Sequence, residues 1–374
     1  MKIIFYCGGF EPLGGIETFC KNLLSYLLTK NNECQLICWG KMSPLLQSIE
    51  QAKIKIHRIS WRWGCRWNLP DWLLLPIGLP QVKQADIIIF SKLFPIKILR
   101  KLRLQASKKA KFVFITAYRP SEIYKNSDKK CVLAALNIFD LVLVQAPTFI
   151  EDLRQLGYYK HVVSVPLIPQ KINIIKELPA KGELKIGFLG RLVEDKNIPL
   201  LLEAFRCFQD KYLQAFTCET KQNNKPTLHL FGDGLLYKQL KQMAEKLGIA
   251  SDVTFYGSIP NSEIERAITS CHIFAFTSRR EGQCLAALEI LGCGRPIVAT
   301  NIGALPEILS DLRLGKIVQS PNPNAFADTL IEMARLIDQQ LISASTIHSA
   351  YLERYSPEKV GERYEEIINS LFNI

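Results

Sequence analysis

The chain of 374 residues has no apolar run near the ~18 residues that a membrane-crossing helix needs. The nearest candidate, Trp72 to Pro80 (WLLLPIGLP), is nine residues long and ends in proline. No secretory signal is expected either, because the early apolar stretch IIFYC stops at Gly8-Gly9. These absences predict a cytoplasmic chain. There is no C-x-x-C among the eleven cysteines, whose number is odd. They read as reduced core thiols, and neither a disulfide framework nor a zinc site is expected. Only five histidines occur, none paired with another at ligand spacing, and no metal site is expected. No solenoid-length repeat and no helix-turn-helix, zinc-finger or RNP-type motif appears, so nucleic acid is not expected as a partner.

What is present is an ordinary globular composition, 48% hydrophobic and 22% charged, long enough for two domains. Charge is divided unevenly. Residues 1–180 carry 26 basic and 12 acidic residues, whereas residues 181–374 carry 21 and 23. Most of the excess lies in Lys53–Lys111, with 14 basic and 2 acidic residues. A basic first half suits an anionic partner, such as a phosphate-bearing substrate or a lipid surface. A merely solvated lysine-rich surface fits the same count.

Both halves alternate strand-like and helix-like segments. Lys2–Cys7 is a short continuous apolar run of the kind buried parallel strands show. The glycine-rich loop GGFEPLGG, Gly8 to Gly15, and a helical spacing over Ile16–Leu28 follow it. Further strands are predicted at Gln35–Trp39, Ile54–Ile59, Asp86–Phe90, Lys111–Ala117, Leu141–Gln145 and His161–Leu167, with one helix over Ser121–Ile138 among those between them. Ile168 to Glu183 breaks the pattern and reads as a linker. A second alternation begins at Leu184, with Ser262 and Glu265 at capping-box spacing before one of its helices. The fold class predicted is α/β, with two doubly wound domains whose ligand loops follow the strands.

Those loops carry the chemistry. After Lys185–Leu189 come Gly190-Arg191-Leu192 and then Lys196, two cations able to reach one diphosphate. After Leu228–Phe231 comes Gly232-Asp233-Gly234, and after Val253–Tyr256 comes Gly257-Ser258. After His272–Phe276 comes Thr277-Ser278-Arg279-Arg280-Glu281-Gly282-Gln283-Cys284, then a helix, whose first amides suit an anion or hydroxyl. Glu281 and Glu289 stand eight residues apart, about 12 Å as helix, and suit hydroxyls at two ends of one extended ligand. Each pair, taken alone, also fits a solvated surface.

Together, the Gly8-Gly9 loop, G-R-L…K, G-D-G, the segment T-S-x-x-E-G-x6-E-x4-G-x-P-I-V-A from Thr277 to Ala299 and Gly303-x-x-Pro306-Glu307-Ile308 resemble the GT-B glycosyltransferases of family 4. The resemblance spans nearly the whole chain and is strongest from Leu184 to Leu309. It implies a GT-B architecture of two Rossmann-like domains facing a cleft. Residues 1–175 would bind acceptor, residues 184–350 would bind a nucleotide-sugar donor, and residues 356–374 would form a helix crossing back to the first domain. It implies that Arg191 and Lys196 hold the donor diphosphate as leaving group. Glu281 would bind the transferred sugar with the amides of Gln283, Cys284 and Leu285, beside Gly282. Glu289 would bind ribose, Gly15 and Gly190 would let backbone approach the donor, and Tyr256, Gly257 and Ile259 would lie near the base. No cofactor and no metal are implied, since the nucleotide-sugar is a substrate and cations with a helix N-terminus do the charge work.

Three positions depart from the family pattern. Tyr118, followed by Arg119, stands where many relatives have histidine, and both are acceptor-side candidates. Gln283-Cys284 replaces the usual F-G, and the usual P-N-G is missing around Pro166–Pro169. The resemblance implies a retaining transferase acting on a glycan or lipid-linked acceptor in envelope polysaccharide, lipopolysaccharide or glycolipid assembly. The alternatives are a non-catalytic nucleotide-sugar-binding partner subunit, favoured by Tyr118 and Gln283, and a nucleotide-sugar epimerase. The run Trp61-Arg62-Trp63 to Trp72 suits a peripheral site on an anionic membrane surface, or simply core and loop packing.

Overall fold

The computed structural model describes residues 1–9, 15–39, 44–59, 80–116, 118–125, 127–179, 184–215 and 225–372. The chain forms two units, Met1–Gln170 with Pro357–Ile374, and Lys171–Ser356. The run from Trp61 to Trp72, read from the sequence as suiting a membrane surface, lies outside the described residues. Among the described residues no helix is long and apolar enough to cross a membrane.

The first unit is built on a seven-stranded parallel sheet. Its strands are β1 (Lys2–Gly9), β2 (Glu33–Trp39), β3 (Lys55–Ile59), β4 (Ile87–Phe90), β5 (Lys111–Ile115), β6 (Leu141–Val144) and β7 (Val162–Ser164). Their spatial order is β3-β2-β1-β4-β5-β6-β7. Every residue of β4 and β6 is buried, as expected of strands covered by helices on both faces. Phe90 stands at the centre of an aromatic cluster, with ring centroids 5.6 Å from Tyr6, 6.1 Å from Phe94, 5.4 Å from Phe112 and 5.5 Å from Phe139.

The helix Pro357–Ser370 is part of this first unit. Its apolar stripe buries Val360, Gly361, Tyr364 and Ile368. Tyr364 lies on Phe19 at 5.7 Å, and Glu365 pairs with Lys30 at 3.2 Å. A Cβ on Gly361 would come within 2.4 Å of the Tyr26 ring, so glycine sets how closely the two helices approach.

The second unit has six parallel strands: β8 (Lys185–Leu189), β9 (Thr227–Phe231), β10 (Val253–Gly257), β11 (Ile273–Phe276), β12 (Ile297–Thr300) and β13 (Gly315–Val318). Their order is β10-β9-β8-β11-β12-β13. Both sheets therefore have the doubly wound topology that the alternation predicts. Each reverses direction at one point, between β1 and β4 in the first and between β8 and β11 in the second.

The segment Lys171–Pro179 has no regular structure and is held on the second unit by two side chains. Arg295, fully buried, donates to six backbone carbonyls, including Lys176 at 2.8 Å and Glu177 at 3.0 Å. Glu265 accepts from the backbone N–H groups of Asn173 at 3.1 Å and Ile174 at 2.8 Å. This corrects the capping-box reading of Ser262 and Glu265: the helix Asn261–Thr269 starts after Pro260 with no side-chain cap, because Glu265 binds orphan amides of the neighbouring segment instead. The single helix predicted over Ser121–Ile138 is also two, Pro120–Ile123 and Lys129–Leu136. Asp128 interrupts it, because its carboxylate caps the second piece by accepting from Lys130 N–H at 2.8 Å.

Candidate functional site

In a doubly wound sheet the loops on either side of the reversal part and leave a crevice at the strand carboxyl ends. In the second unit these are the loops after β8 and β11, the ones that carry Gly190–Lys196 and Thr277–Cys284. Two backbone crossings hold the first of them. Gly190 N–H donates to Phe231 O at 3.0 Å, and Leu192 N–H donates to Asp233 O at 2.9 Å. Only glycine fits the crossing itself. Gly232 has φ 141°, and a Cβ there would sit 1.9 Å from Gly190 O; a Cβ on Gly234 would sit 2.3 Å from Leu192 O. Leu192 is fully buried while Arg191 is exposed. The leucine thus anchors the loop that presents the guanidinium, which has no carboxylate partner among the described residues.

The loop continues through one 3₁₀ turn, Glu194–Lys196, that ends in left-handed Asn197 (φ 49°). The β11 loop is stitched to it. Thr277 Oγ1 donates to Lys196 O at 3.1 Å and Asn197 O at 3.0 Å, and Arg279 N–H donates to Asp195 O at 2.8 Å. The result brings Lys196 Nζ to 2.5 Å from Glu281 Oε1, which also accepts from Ser278 Oγ at 2.8 Å. Burial acts to lower the Lys196 pKa, but the charge and hydrogen bond of Glu281 outweigh it and the net shift is upward. The ammonium is held charged.

Glu281 is itself braced from behind. Gly303 (φ 61°) passes so close that a Cβ would lie 2.6 Å from Glu281 O and 2.5 Å from Gly282 O, and Ala304 N–H donates to Gly282 O at 2.9 Å. Cys284 then adopts a left-handed conformation (φ 61°) at the start of the helix Leu285–Gly292. Burial, with the Glu281 charge behind it, pushes the Cys284 thiol well up. Gln283 is buried beside it. The helix is buried on nearly every side, Leu285, Ala287, Leu288, Ile290 and Leu291 included, as a helix apolar all round must be. Glu289 is buried with these residues, and desolvation, with the Glu265 charge second, raises its pKa to about 7.

At the far edge of the sheet Tyr256 is half exposed and stacks on Phe231, with centroids 4.5 Å apart and planes at 24°; its hydroxyl lies 3.0 Å from His229 Nδ1. Gly257 (φ 71°) lines a cavity of about 440 Å³ together with Asp233, Gly234, Leu235, Tyr237 and Lys238. Ile259 is partly exposed two residues on.

Residues 170–341 match the family model "Glycosyl transferases group 1". Anabaena HepE, solved with UDP, superposes with a TM-score of 0.77 at 19% identity, covering 99% of this chain and 100% of that one. The lipopolysaccharide outer core galactosyltransferase WaaB superposes with a TM-score of 0.73 at 19% identity and 99% coverage of both chains. The chain has a GT-B fold, and its likeness to that family model lies in residues 170–341. In sequence it is 26% identical over 265 residues to D-inositol 3-phosphate glycosyltransferase of Corynebacterium urealyticum, 66% of this chain and 60% of that protein. It is 24% identical over 251 residues to poly(ribitol-phosphate) alpha-N-acetylglucosaminyltransferase of Staphylococcus aureus, 66% and 47%. The chain thus spans less than two thirds of the length of these curated relatives.

In this GT-B chain the remaining candidates fall in the first unit. Gly15 is exposed at the start of the helix Gly15–Thr29; residues 10 to 14 of its loop lie outside the described residues. Tyr118 is half exposed. Arg119 is bound to Asp152 by two hydrogen bonds, Nε to Oδ2 at 2.8 Å and Nη2 to Oδ1 at 3.1 Å, and Ser121 Oγ donates to the same carboxylate at 2.6 Å. Burial alone would raise the Asp152 pKa, but these partners win and hold it below the ordinary value. Sequence reasoning passed over Ser278, Thr277 and Arg295 as functional supports. Their signal was present, since each sits inside the motif, but hydroxyls and an arginine next to glycine look like loop residues until their acceptors are seen.

Proposed function

We propose that the protein is a retaining glycosyltransferase that moves a sugar from a nucleoside-diphosphate sugar to a glycan or lipid-linked acceptor in envelope polysaccharide, lipopolysaccharide or glycolipid assembly. One observation carries this reading: Arg191, Lys196 and Glu281 meet at the reversal point of the second sheet, on two loops tied together by Thr277 and Arg279. The exposed guanidinium suits bidentate binding of a diphosphate. The ammonium of Lys196 stays charged and stands ready for the negative charge that grows on the leaving diphosphate as the glycosidic bond breaks. Glu281, whose Oε1 accepts from Ser278 and Lys196, takes the sugar hydroxyls next to the first amides of the helix Leu285–Gly292. Glu289 takes the ribose, Tyr256, Gly257 and Ile259 border the base, and Gly15 and Gly190 admit the phosphates. The charge work falls to these cations and amides, with no metal or cofactor in the proposal.

Supporting the donor class, the similar Anabaena protein was solved with UDP and UDP-glucose. Residues 1–175 are proposed as the acceptor side, with Tyr118 and Arg119 among its candidates, and the basic first half as a peripheral contact to an anionic membrane face. A thermal-shift screen across UDP-, GDP- and ADP-sugars, followed by donor hydrolysis, tests the reading. A donor at 100 times its dissociation constant stabilises by ~2.7 kcal/mol. Stabilisation with slow release of the nucleoside diphosphate supports it. Stabilisation with no turnover, with or without acceptor, points instead to a non-catalytic partner subunit.

A further inference from the structure

Residues 87–121 hold nine basic residues and no acidic one. At their centre is the helix Ile96–Gln105, whose buried stripe is Ile98, Leu99 and Leu102. The opposite face carries Lys97, Arg100 and Lys101 around Leu104, with Lys108 and Lys109 just beyond the helix end, and all six side chains are exposed. Leu104 is 84% exposed. Arg103 shows what a structural cation looks like on this helix. It binds Asp140 by two hydrogen bonds, at 3.0 Å and 2.9 Å, and donates to Ala110 O at 2.8 Å. These bonds fix the helix end at the amino ends of β5 and β6, away from the strand carboxyl ends where ligand loops lie. The other five cations have no carboxylate partner among the described residues. Lys97 and Lys101, four apart on one face, repel each other. The fold itself gains nothing from gathering like charge around a bare leucine.

A cavity of about 500 Å³ opens beside Leu104, lined by Arg100, Arg103, Asp140 and Lys160, with Phe139 as an apolar wall. Arg103 neutralises Asp140, so Arg100 and Lys160 are the spare charge. Lys160 donates to Asn137 O at 2.8 Å, and an ammonium has three donors to give. Two such cations suit one phosphate.

We propose that this face docks on an anionic phospholipid surface, with a lipid phosphate between Arg100 and Lys160 and the Leu104 side chain among the upper acyl chains. The proposal rests on the reading of the basic first half as a membrane contact and narrows it to one helix. An exposed leucine ringed by cations fits a bilayer, which offers phosphate and hydrocarbon together. A nucleic-acid backbone offers this face only phosphate.

The test floats the full chain with vesicles of phosphatidylcholine, with and without a third of phosphatidylglycerol, at physiological ionic strength. The wild type should bind the anionic vesicles at least ~10-fold more tightly. Arg100→Glu with Lys101→Glu should lower that binding by at least ~10-fold. Leu104→Ser, which removes no charge, should lower it by ~3- to 10-fold. Both proteins should keep the wild-type unfolding temperature and donor-induced stabilisation. Should the charge reversal unfold the chain, Leu104→Ser decides alone. A control with the same change of charge at exposed positions of the second unit, Lys246→Glu with Arg335→Glu, should bind as the wild type does. An equal loss in that control overturns the proposal. Unchanged binding by the helix variants overturns it too, and leaves the membrane contact to another part of the basic half. Wild-type binding that ignores phosphatidylglycerol overturns both the proposal and the membrane reading. If Leu104→Ser binds vesicles like the wild type while duplex DNA binds the wild type more tightly than vesicles do, the face is a nucleic-acid site and the proposal falls. Failure of the glycosyltransferase reading shows separately, as a chain that no nucleotide-sugar stabilises.

Discussion

Lys196 Nζ and Glu281 Oε1 lie 2.5 Å apart although 85 residues separate them in the chain. Their pairing depends on two loops that leave neighbouring strands in different directions and are rejoined by Thr277. With side-chain exposures of 18% and 6%, the pair is shielded enough that removing one partner leaves a costly charge behind.

That asymmetry separates Lys196 from Arg191. Lys196→Met is expected to destabilise the fold by ~3–5 kcal/mol, because Glu281 is left buried without its cation. Arg191→Ala removes an exposed side chain and is expected to change stability by no more than ~0.5 kcal/mol, yet to lower kcat by roughly 100- to 1000-fold. Urea unfolding and steady-state kinetics with the donor found by thermal shift would check both. An Arg191→Ala protein with full kcat would contradict the leaving-group role.

Glu289 makes stability depend on pH in a definite direction. Burial raises its pKa from 4.5 to about 7, so the folded protein binds this proton more tightly than the unfolded chain does. The burden is absent below the unfolded value, grows as pH rises between the two values and is complete above about 7. Glu289→Gln should therefore equal the wild type in stability near the lower end and exceed it by up to about 3 kcal/mol at pH 8. If the carboxylate also accepts from ribose, the same variant should raise KM for the donor with little loss of kcat. Melting curves across this pH range decide the first part and kinetics the second.

Gly232→Ala tests the loop crossing. A Cβ would lie 1.9 Å from Gly190 O in a backbone with φ 141°, so the β8 loop must shift. Strain of ~1–3 kcal/mol and a loss of donor-induced stabilisation are expected together. By contrast Gly257→Ala, whose Cβ would meet nothing within 4 Å, should cost only its positive-φ strain and keep the donor response.

Arg295 is expected to be intolerant even of lysine. It reaches six carbonyls from several directions, and an ammonium has three donors on one atom. Arg295→Lys and Arg295→Met should both free the segment Lys171–Pro179, seen as faster proteolysis there than in the wild type. Equal cleavage rates would show that Glu265 alone holds it.

Asp152 gives an acid-side prediction of the opposite sign to Glu289. Arg119 and Ser121 hold its pKa below the ordinary value, so its contribution is present above that value and lost as pH falls through the lowered one. Asp152→Asn should destabilise at neutral pH and converge with the wild type in acid, which chemical denaturation at the two pH values would show.

The strands were legible because each is a short continuous apolar run between turn residues, and a strand buried on both faces needs nothing more. The order of glycine loops, cations and the two glutamates was legible for the same local reason: each motif lies within one loop and the helix that follows. The sequence alone thus determined the two α/β alternations and the chemistry that follows their strands. Tertiary structure decided which of these side chains meet. Lys196 pairs with Glu281, the Glu265 side chain reaches from its helix to hold Asn173 and Ile174, and a Cβ at Gly232 would collide with Gly190 O. It also decided that Tyr124 is buried with no partner for its hydroxyl among the described residues. Such facts depend on distances between segments far apart in the chain, and these are set by how strands order themselves in a sheet, which no local periodicity encodes.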